Sequence, residues 1–269
     1  MNAFLQLLKA AGAHPPVGTW IGSASPIVAE AIGCAGFDWG LVDMEHAPLD
    51  MMNLVHVLQA LAGTKLVPVV RVPWNDAVVV KRVLDAGAMT LMYPFVQNAD
   101  EARRAVAATR YPPEGIRGLA GTTRAARFGT TPNYFKTANQ QIGVIVQIET
   151  PAAIEQLDAI ASVEGIDALF VGPADLSAAM GYIGNVAHPA VMDRLSHVVQ
   201  RCKELGKPVG TLGSTPELVA QYRATGFDFV AVSSDIGLMM RSAQAAIAAL
   251  RTRDTEHVHT LASGTASTY

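Results

Sequence analysis

Short apolar runs recur along this chain at fairly regular spacing, and each is followed by a stretch with helical periodicity. The runs are Val17–Ile21, Trp39–Asp43, Leu66–Arg71, Met89–Tyr93, Ile142–Ile148, Ala168–Val171, Pro208–Leu212 and Phe229–Val232. Helices are predicted near 27–34, 50–62, 75–86, 99–110, 151–161, 190–205, 216–225 and 237–251. Runs this apolar suit strands buried on both faces, as in parallel sheets covered by crossover helices. Eight such units in 269 residues predict an α/β fold closed as a (β/α)8 barrel of the TIM type. An open doubly wound sheet is the alternative, but no Gly-x-Gly-x-x-Gly follows the first strand.

The barrel is expected to occupy residues 1–254 as a single domain, and the small, polar segment 255–269 is expected to be a disordered tail. Near the start, Ala3-Phe4-Leu5-Gln6-Leu7-Leu8 is cut short by Lys9, with no charged region before it. That reads as an amphipathic covering helix, not a signal peptide. No apolar span approaches the ~18–20 residues that cross a membrane. The net charge of −3 gives no basic footprint for nucleic acid. Cys34 and Cys202 lack metal-ligand spacing and read as buried thiols of a reducing compartment. A soluble cytoplasmic protein is expected.

In a barrel, function collects at the C-terminal ends of the strands. Those ends carry Trp20, Asp43-Met44-Glu45-His46, Arg71, Tyr93, Gln147 with Glu149, Asp175, Leu212 and Ser233-Ser234. The runs ending at Glu149 and Asp175 finish abruptly in a carboxylate, which an apolar strand has no reason to do unless its end meets water, a helix N-terminus or an ion. Either carboxylate alone can cap a helix. Together on neighbouring strands they form an oxygen-ligand pair for Mg²⁺ or Mn²⁺, with most of the octahedron left for water and a chelating substrate.

His46 follows Asp43 by three residues, and a carboxylate on one imidazole nitrogen would fix its tautomer and raise its basicity. Arg71 ends a strand where a simple core would not place a guanidinium; it either pairs with Glu45 or Asp43 or stabilises a developing enolate or alkoxide oxygen. Gly172-Pro173-Ala174-Asp175-Leu176 opens toward a helix whose N–H groups can bind a carboxylate. Gly210-Thr211-Leu212-Gly213-Ser214-Thr215 reads as a phosphate loop or as a plain tight turn. Lys9, Lys65, Lys81, Lys136, Lys203 and Lys207 all avoid the strand ends, so metal-assisted enolisation is favoured over a Schiff base. The long stretch Tyr111–Ala138, rich in Gly, Pro, Thr and Arg, reads as a functional loop.

Several ordered motifs make the chain resemble the HpcH/HpaI aldolases, metal-dependent class II pyruvate aldolases of the 4-hydroxy-2-oxoheptanedioate type. They are Asp43-Met44-Glu45-His46, Arg71-Val72-Pro73, Leu84-Asp85-Ala86-Gly87-Ala88, Pro94-Phe95-Val96-Gln97-Asn98-Ala99, Gly115-Ile116-Arg117-Gly118, Gln147-Ile148-Glu149-Thr150 and Val171-Gly172-Pro173-Ala174-Asp175-Leu176-Ser177. The resemblance implies that Glu149 and Asp175 bind a divalent metal, Mg²⁺ or Mn²⁺ with Co²⁺ as a further candidate. It implies His46 as base, Arg71 as enolate stabiliser, Gln147 as a substrate contact, and the Ala174 and Asp175 backbone, in the turn with Gly172 and Pro173, as carboxylate holder. It assigns support of the histidine to Asp85, whereas spacing alone assigns that to Asp43. It further implies a last helix exchanged between subunits and a homohexamer built as a trimer of dimers.

The substrates implied are a small 2-oxo acid, pyruvate or hydroxypyruvate, and an aldehyde. The aldehyde is expected at Trp20, Leu212 and the loop Leu119-Ala120-Gly121-Thr122-Thr123-Arg124, where Arg124 and Arg127 could meet an acidic one. Succinic semialdehyde, tartronate semialdehyde and sugar-derived aldehydes all stay open. Two rivals are an acyl-CoA lyase of the citrate lyase β-subunit type, for which no cationic nucleotide surface is evident, and a non-catalytic barrel acting as a binding subunit.

Overall fold

The computed structural model describes residues 2–12 and 14–264. In chain order the elements are α1 (Ala3–Ala10), β1 (Val17–Ile21), α2 (Pro26–Cys34), β2 (Trp39–Asp43), α3 (Met51–Leu61), β3 (Val67–Arg71), α4 (Ala77–Asp85), β4 (Thr90–Tyr93) and α5 (Ala99–Thr109). There follow α6 (Tyr134–Thr137), β5 (Gly143–Ile148), α7 (Pro151–Glu155), α8 (Leu157–Ala161), β6 (Ala168–Val171), α9 (Pro173–Ala179) and α10 (Pro189–Glu204). The last are β7 (Val209–Gly213), α11 (Pro216–Thr225), β8 (Phe229–Ser234) and α12 (Asp235–Gly264). The strands close as a parallel barrel in sequence order, with β8 returning to β1 through Val17 opposite Val230. This is the predicted (β/α)8 barrel.

The period-2 alternation of strand side chains sorts each strand between two layers. Trp20, Trp39, Leu41, Val69, Met92, Ile145, Phe170 and Phe229 fill the barrel interior. Their neighbours Ile21, Val42, Val70, Leu91, Val144, Val146, Leu169 and Val230 face the helices. Burying each such side chain stabilises by about 1.5–3 kcal/mol. The large rings need room: a Cβ on Gly210 would lie 2.2 Å from the Phe229 ring.

The covering helix is α1. It closes the N-terminal end of the barrel, where Phe4 meets Trp39 and Phe229 edge-on at 5.7 and 5.3 Å. Asn2 fastens it there by donating to the carbonyls of Met89 and Gln141, at 2.7 and 2.9 Å. At the opposite rim the strand-to-helix loops end in capping side chains that take up helix N–H groups. Asp50 accepts from Met52 and Asn53, Asp76 from Val78 and Val79, and Thr150 from Ala153.

Three expectations change. The predicted helix 151–161 is two short helices, α7 and α8, broken at Gln156. Cys34 is exposed at the end of α2, and Cys202 alone is a buried thiol. The stretch Tyr111–Ala138 joins α5 to β5, so it lies at the N-terminal end of its own barrel, opposite the rim where it was expected to meet an aldehyde. There Arg124 donates to the Ala86 carbonyl (2.8 Å) and the Ala125 N–H to the Asp85 carbonyl (3.1 Å). The last helix, α12, runs through Gly264 into the segment expected as a tail, and residues 265–269 lie outside the described residues. Among the described residues no helix is long and apolar enough to cross a membrane.

Candidate active site

The site grows out of the barrel's own alternation. On β5, Ile145 fills the interior, so Gln147 and then Glu149, at two-residue steps, continue the same inward line to the rim. Glu149 is buried, and both carboxylate oxygens are fixed: one accepts from Gln147 Nε2 at 2.6 Å, the other from the Phe95 N–H at 3.0 Å. Phe95 holds φ at +55°, an uncommon conformation for a bulky residue, and it is the residue whose N–H reaches this carboxylate. Gly172 completes the cradle, since a Cβ there would lie 2.6 Å from Glu149 Oε1. Burial, with the Asp175 carboxylate adding to it, pushes the Glu149 carboxyl up to about 7. Asp175 itself is exposed in the first turn of α9.

Arg71 ends β3 with its head buried. Its Nε and one terminal nitrogen donate to the two Asp43 oxygens at 2.9 and 2.8 Å, and the other terminal nitrogen lies 2.9 Å from Glu45 Oε2. The ion-pair alternative is therefore realised with both acids at once, and the guanidinium also sits 5.8 Å from the Trp20 ring centre. Burial works against its charge, but the Asp43 hydrogen bond and the surrounding carboxylates outweigh it and raise its pKa above the ordinary value. Burial likewise raises the Glu45 carboxyl, against the pull of Arg71.

Asp43 was expected on the imidazole of His46. It instead takes Arg71 and the backbone N–H groups of Glu45 and His46, at 3.0 and 3.4 Å. The His46 ring projects into solvent, and its ion-pair neighbour among the described residues is Glu45, 3.9 Å away. Asp85, the other candidate for supporting the histidine, ends α4 at the far end of the barrel and pairs with Arg117 at 2.7 Å. Within one chain it is remote from His46, because the C-terminal end of a crossover helix lies beside the N-terminal end of the next strand.

A cavity of about 620 Å³ is lined by Trp20, Asp43, His46, Arg71, Gln147, Glu149, Gly172, Pro173, Ala174, Asp175 and Leu212, so every expected site residue meets there except Asp85 and the loop 119–124 with Arg127. Sequence reasoning named Glu45 only as a partner of Arg71 and missed the Phe95 N–H and Asp235. Asp235 accepts from the Gly22 and Ser23 N–H groups at 3.0 and 3.1 Å, tying the β1 loop to the start of α12. Its signal was weaker than that of Glu149, because Ser233 and Ser234 separate the carboxylate from the apolar run.

Among the described residues no three His, Cys, Asp or Glu side chains group as a metal site. A hard divalent cation nevertheless fits the pair at Glu149 and Asp175. The Asp175 carboxylate adds to the cost of ionising Glu149, and the buried Gln147 Oε1 beside them has no partner among the described residues. Such an ion would keep most of its coordination sphere for water and substrate.

An eight-stranded parallel barrel with its ionisable groups gathered on one rim defines a barrel enzyme. The model of the HpcH/HpaI aldolase/citrate lyase family matches residues 17–242, and the chain belongs to that family. A 2-dehydro-3,6-dideoxy-6-sulfogluconate aldolase of Pseudomonas putida is 50% identical over 238 residues, covering 88% of this chain and 93% of that one. A 5-keto-4-deoxy-D-glucarate aldolase of Salmonella arizonae is 49% identical, covering 85% and 89%. The crystal structure of an HpcH/HpaI aldolase/citrate lyase family protein from Burkholderia cenocepacia superposes with a TM-score of 0.90 at 40% identity, over 93% of this chain and all of that one. The chain is thus an aldolase-type carbon–carbon lyase.

Proposed function

We propose that this enzyme is a divalent-metal-dependent aldolase that cleaves, and in reverse makes, 4-hydroxy-2-oxo acids, with pyruvate or hydroxypyruvate as the 2-oxo product. The observation that carries this reading is the buried Glu149 beside Asp175, in one cavity with Arg71 and His46. Glu149 and Asp175 hold the cation, with Mg²⁺ and Mn²⁺ as the first candidates and Co²⁺ a further one. When bound, it supplies a Lewis acid toward the carboxylate and keto oxygens of a 2-oxo acid.

The chain's own groups do the rest. The Ala174 and Asp175 N–H groups, in the turn opened by Gly172 and Pro173, receive the substrate carboxylate. Gln147 presents its amide to the same end, while Trp20 and Leu212 pack against the carbon chain. In cleavage, His46 takes the proton of the C4 hydroxyl and the C3–C4 bond breaks. Its electron pair is left on the 2-oxo fragment as an enolate, whose oxygen Arg71 faces. Returning a proton to C3 gives the 2-oxo acid, and the other fragment leaves as an aldehyde. Synthesis is the reverse.

Both relatives' names describe a 2-oxo-3-deoxy acid, or its reversed numbering, with an anion at the far end of the chain: a sulfonate in one, a carboxylate in the other. The same substrate class is the natural reading here. A role for Asp85 or for the loop 119–124 in catalysis requires the rim of a second subunit, which the proposed homohexamer would supply. The test is release of pyruvate from 4-hydroxy-2-oxo acids by purified protein with Mg²⁺ or Mn²⁺, with and without EDTA. Release that EDTA abolishes and metal restores is expected; metal-independent release, or none from any such acid, sinks the reading.

A further inference from the structure

The cavity is chemically lopsided. Every ionisable group that lines it stands on the β2, β3, β5 and β6 side. The β7 and β8 side offers only hydroxyls and apolar groups: Ser214, Ser233 and Ser234 beside Leu212, Leu218 and Ile236. Just outside that wall Arg241, on α12, donates to the carbonyl of Ser214 at 2.6 Å, which sets a guanidinium against a residue that lines the cavity. Among the described residues it makes no ion pair within 4 Å. Two acids weigh against it: the buried Asp235, whose oxygens are taken up by the Gly22, Ser23 and Ile236 N–H groups, and Glu217, which is fully exposed. Its carboxyl is held below the ordinary range mainly by backbone N–H and Thr215, with Arg241 the smallest contributor.

One of the hydroxyls is also left able to donate. The Gly237 N–H donates to Ser234 Oγ at 3.0 Å, and a hydroxyl that accepts in this way keeps its own proton to give. Ser233 holds φ at +55°, and a Cβ on Gly237 would lie 2.6 Å from its Oγ, so the start of α12 is hollowed to leave both serines room. A guanidinium fork and hydroxyl donors are the groups that suit a carboxylate or sulfonate.

We propose that this wall is a subsite for a second anion at the far end of the substrate, with Arg241 as its specificity residue. The inference rests on the aldolase reading and substrate class above and adds to them which residues read the anion at C6. The end held at Glu149 and Asp175 then carries the 2-oxo acid, and charge at the other end is read separately.

The experiment measures kcat/KM for 2-oxo-3-deoxy six-carbon acids ending in carboxylate, in sulfonate, or in a neutral hydroxymethyl group. Wild type should favour the two anionic ends. Arg241→Ala should lower the anionic-to-neutral ratio by about 10- to 100-fold, the size of a lost charge-assisted hydrogen bond, and Arg241→Lys should restore part of it. If Arg241 merely ties α12 to the β7 loop, the ratio will not move, because a structural tie does not distinguish end groups. A wild-type ratio that is near one, or that Arg241→Ala leaves unchanged, overturns the proposal. In wild type alone the ratio should fall as salt rises, since an exposed guanidinium is screened; a salt-independent ratio also overturns it. Exchange of the C3 protons of pyruvate with D₂O, in wild type with Mg²⁺, needs no aldehyde end at all. Exchange without end-group preference fails the subsite alone, and absence of exchange fails both readings.

Discussion

Glu149 carries the largest electrostatic tension in the site, and it sets a testable dependence on pH. Its carboxyl in the folded, metal-free protein ionises at about 7, against an ordinary 4.5. Between those values the folded chain binds more proton than the unfolded one, so folding stability falls as pH rises through that window and levels off above it. The loss is about 3 kcal/mol at most, from the size of the shift. Thermal melts of EDTA-treated protein should therefore drop in midpoint from pH 5 to pH 7.5, and Mg²⁺ added at pH 7.5 should raise the midpoint again. A melt that is flat across this range in EDTA would remove the buried, uncompensated carboxylate. That residue was legible in the sequence, because an apolar strand ending in Glu is an anomaly that burial must explain. Asp85 was not legible in this way. Its place follows from which end of a helix it occupies, and motif matching carries no information on that.

At the scale of elements, the barrel's strands lie within two residues of their predicted ends, as with Leu66–Arg71 against Val67–Arg71, because apolar runs and Gly or Pro boundaries are local signals. What pattern could not show was the partner of a given ring. The seal at the N-terminal end depends on Phe4 reaching Trp39 and Phe229 across the barrel axis. Phe4→Ala would leave a cavity under both rings, at a cost of about 3–5 kcal/mol, measurable by urea unfolding. A cost below ~1 kcal/mol would show α1 to be a loose cover. The loop 111–138 was misplaced for a topological reason that was available: a segment between a helix and the following strand belongs to the N-terminal face, whatever its composition.

For the whole molecule, the last helix raises the question of assembly. Instead of packing along its own barrel, α12 leaves Met239, Met240, Ile247 and Leu250 largely exposed, at 46–59%. Its main contacts with its own chain are with β1, β8 and α2, and Arg241 ties it to the β7 loop. An apolar face of this kind is costly in water and is the segment proposed for exchange between subunits. Met239→Glu with Leu250→Glu should convert the assembled enzyme to smaller species, read as molar mass by light scattering. A wild-type protein that is monomeric at micromolar concentration would refute the exchange.

The plug that α1 makes at the barrel floor has a kinetic corollary. With that end shut by Phe4 and by the Asn2 fastening, the cavity is served from the rim side. On the proposed binding mode the 2-oxo fragment lies against Glu149, inside, and the aldehyde fragment lies nearer the threshold. Departure is then a queue, in which the aldehyde must clear the rim before the 2-oxo acid can follow, and arrival for synthesis runs in the opposite order.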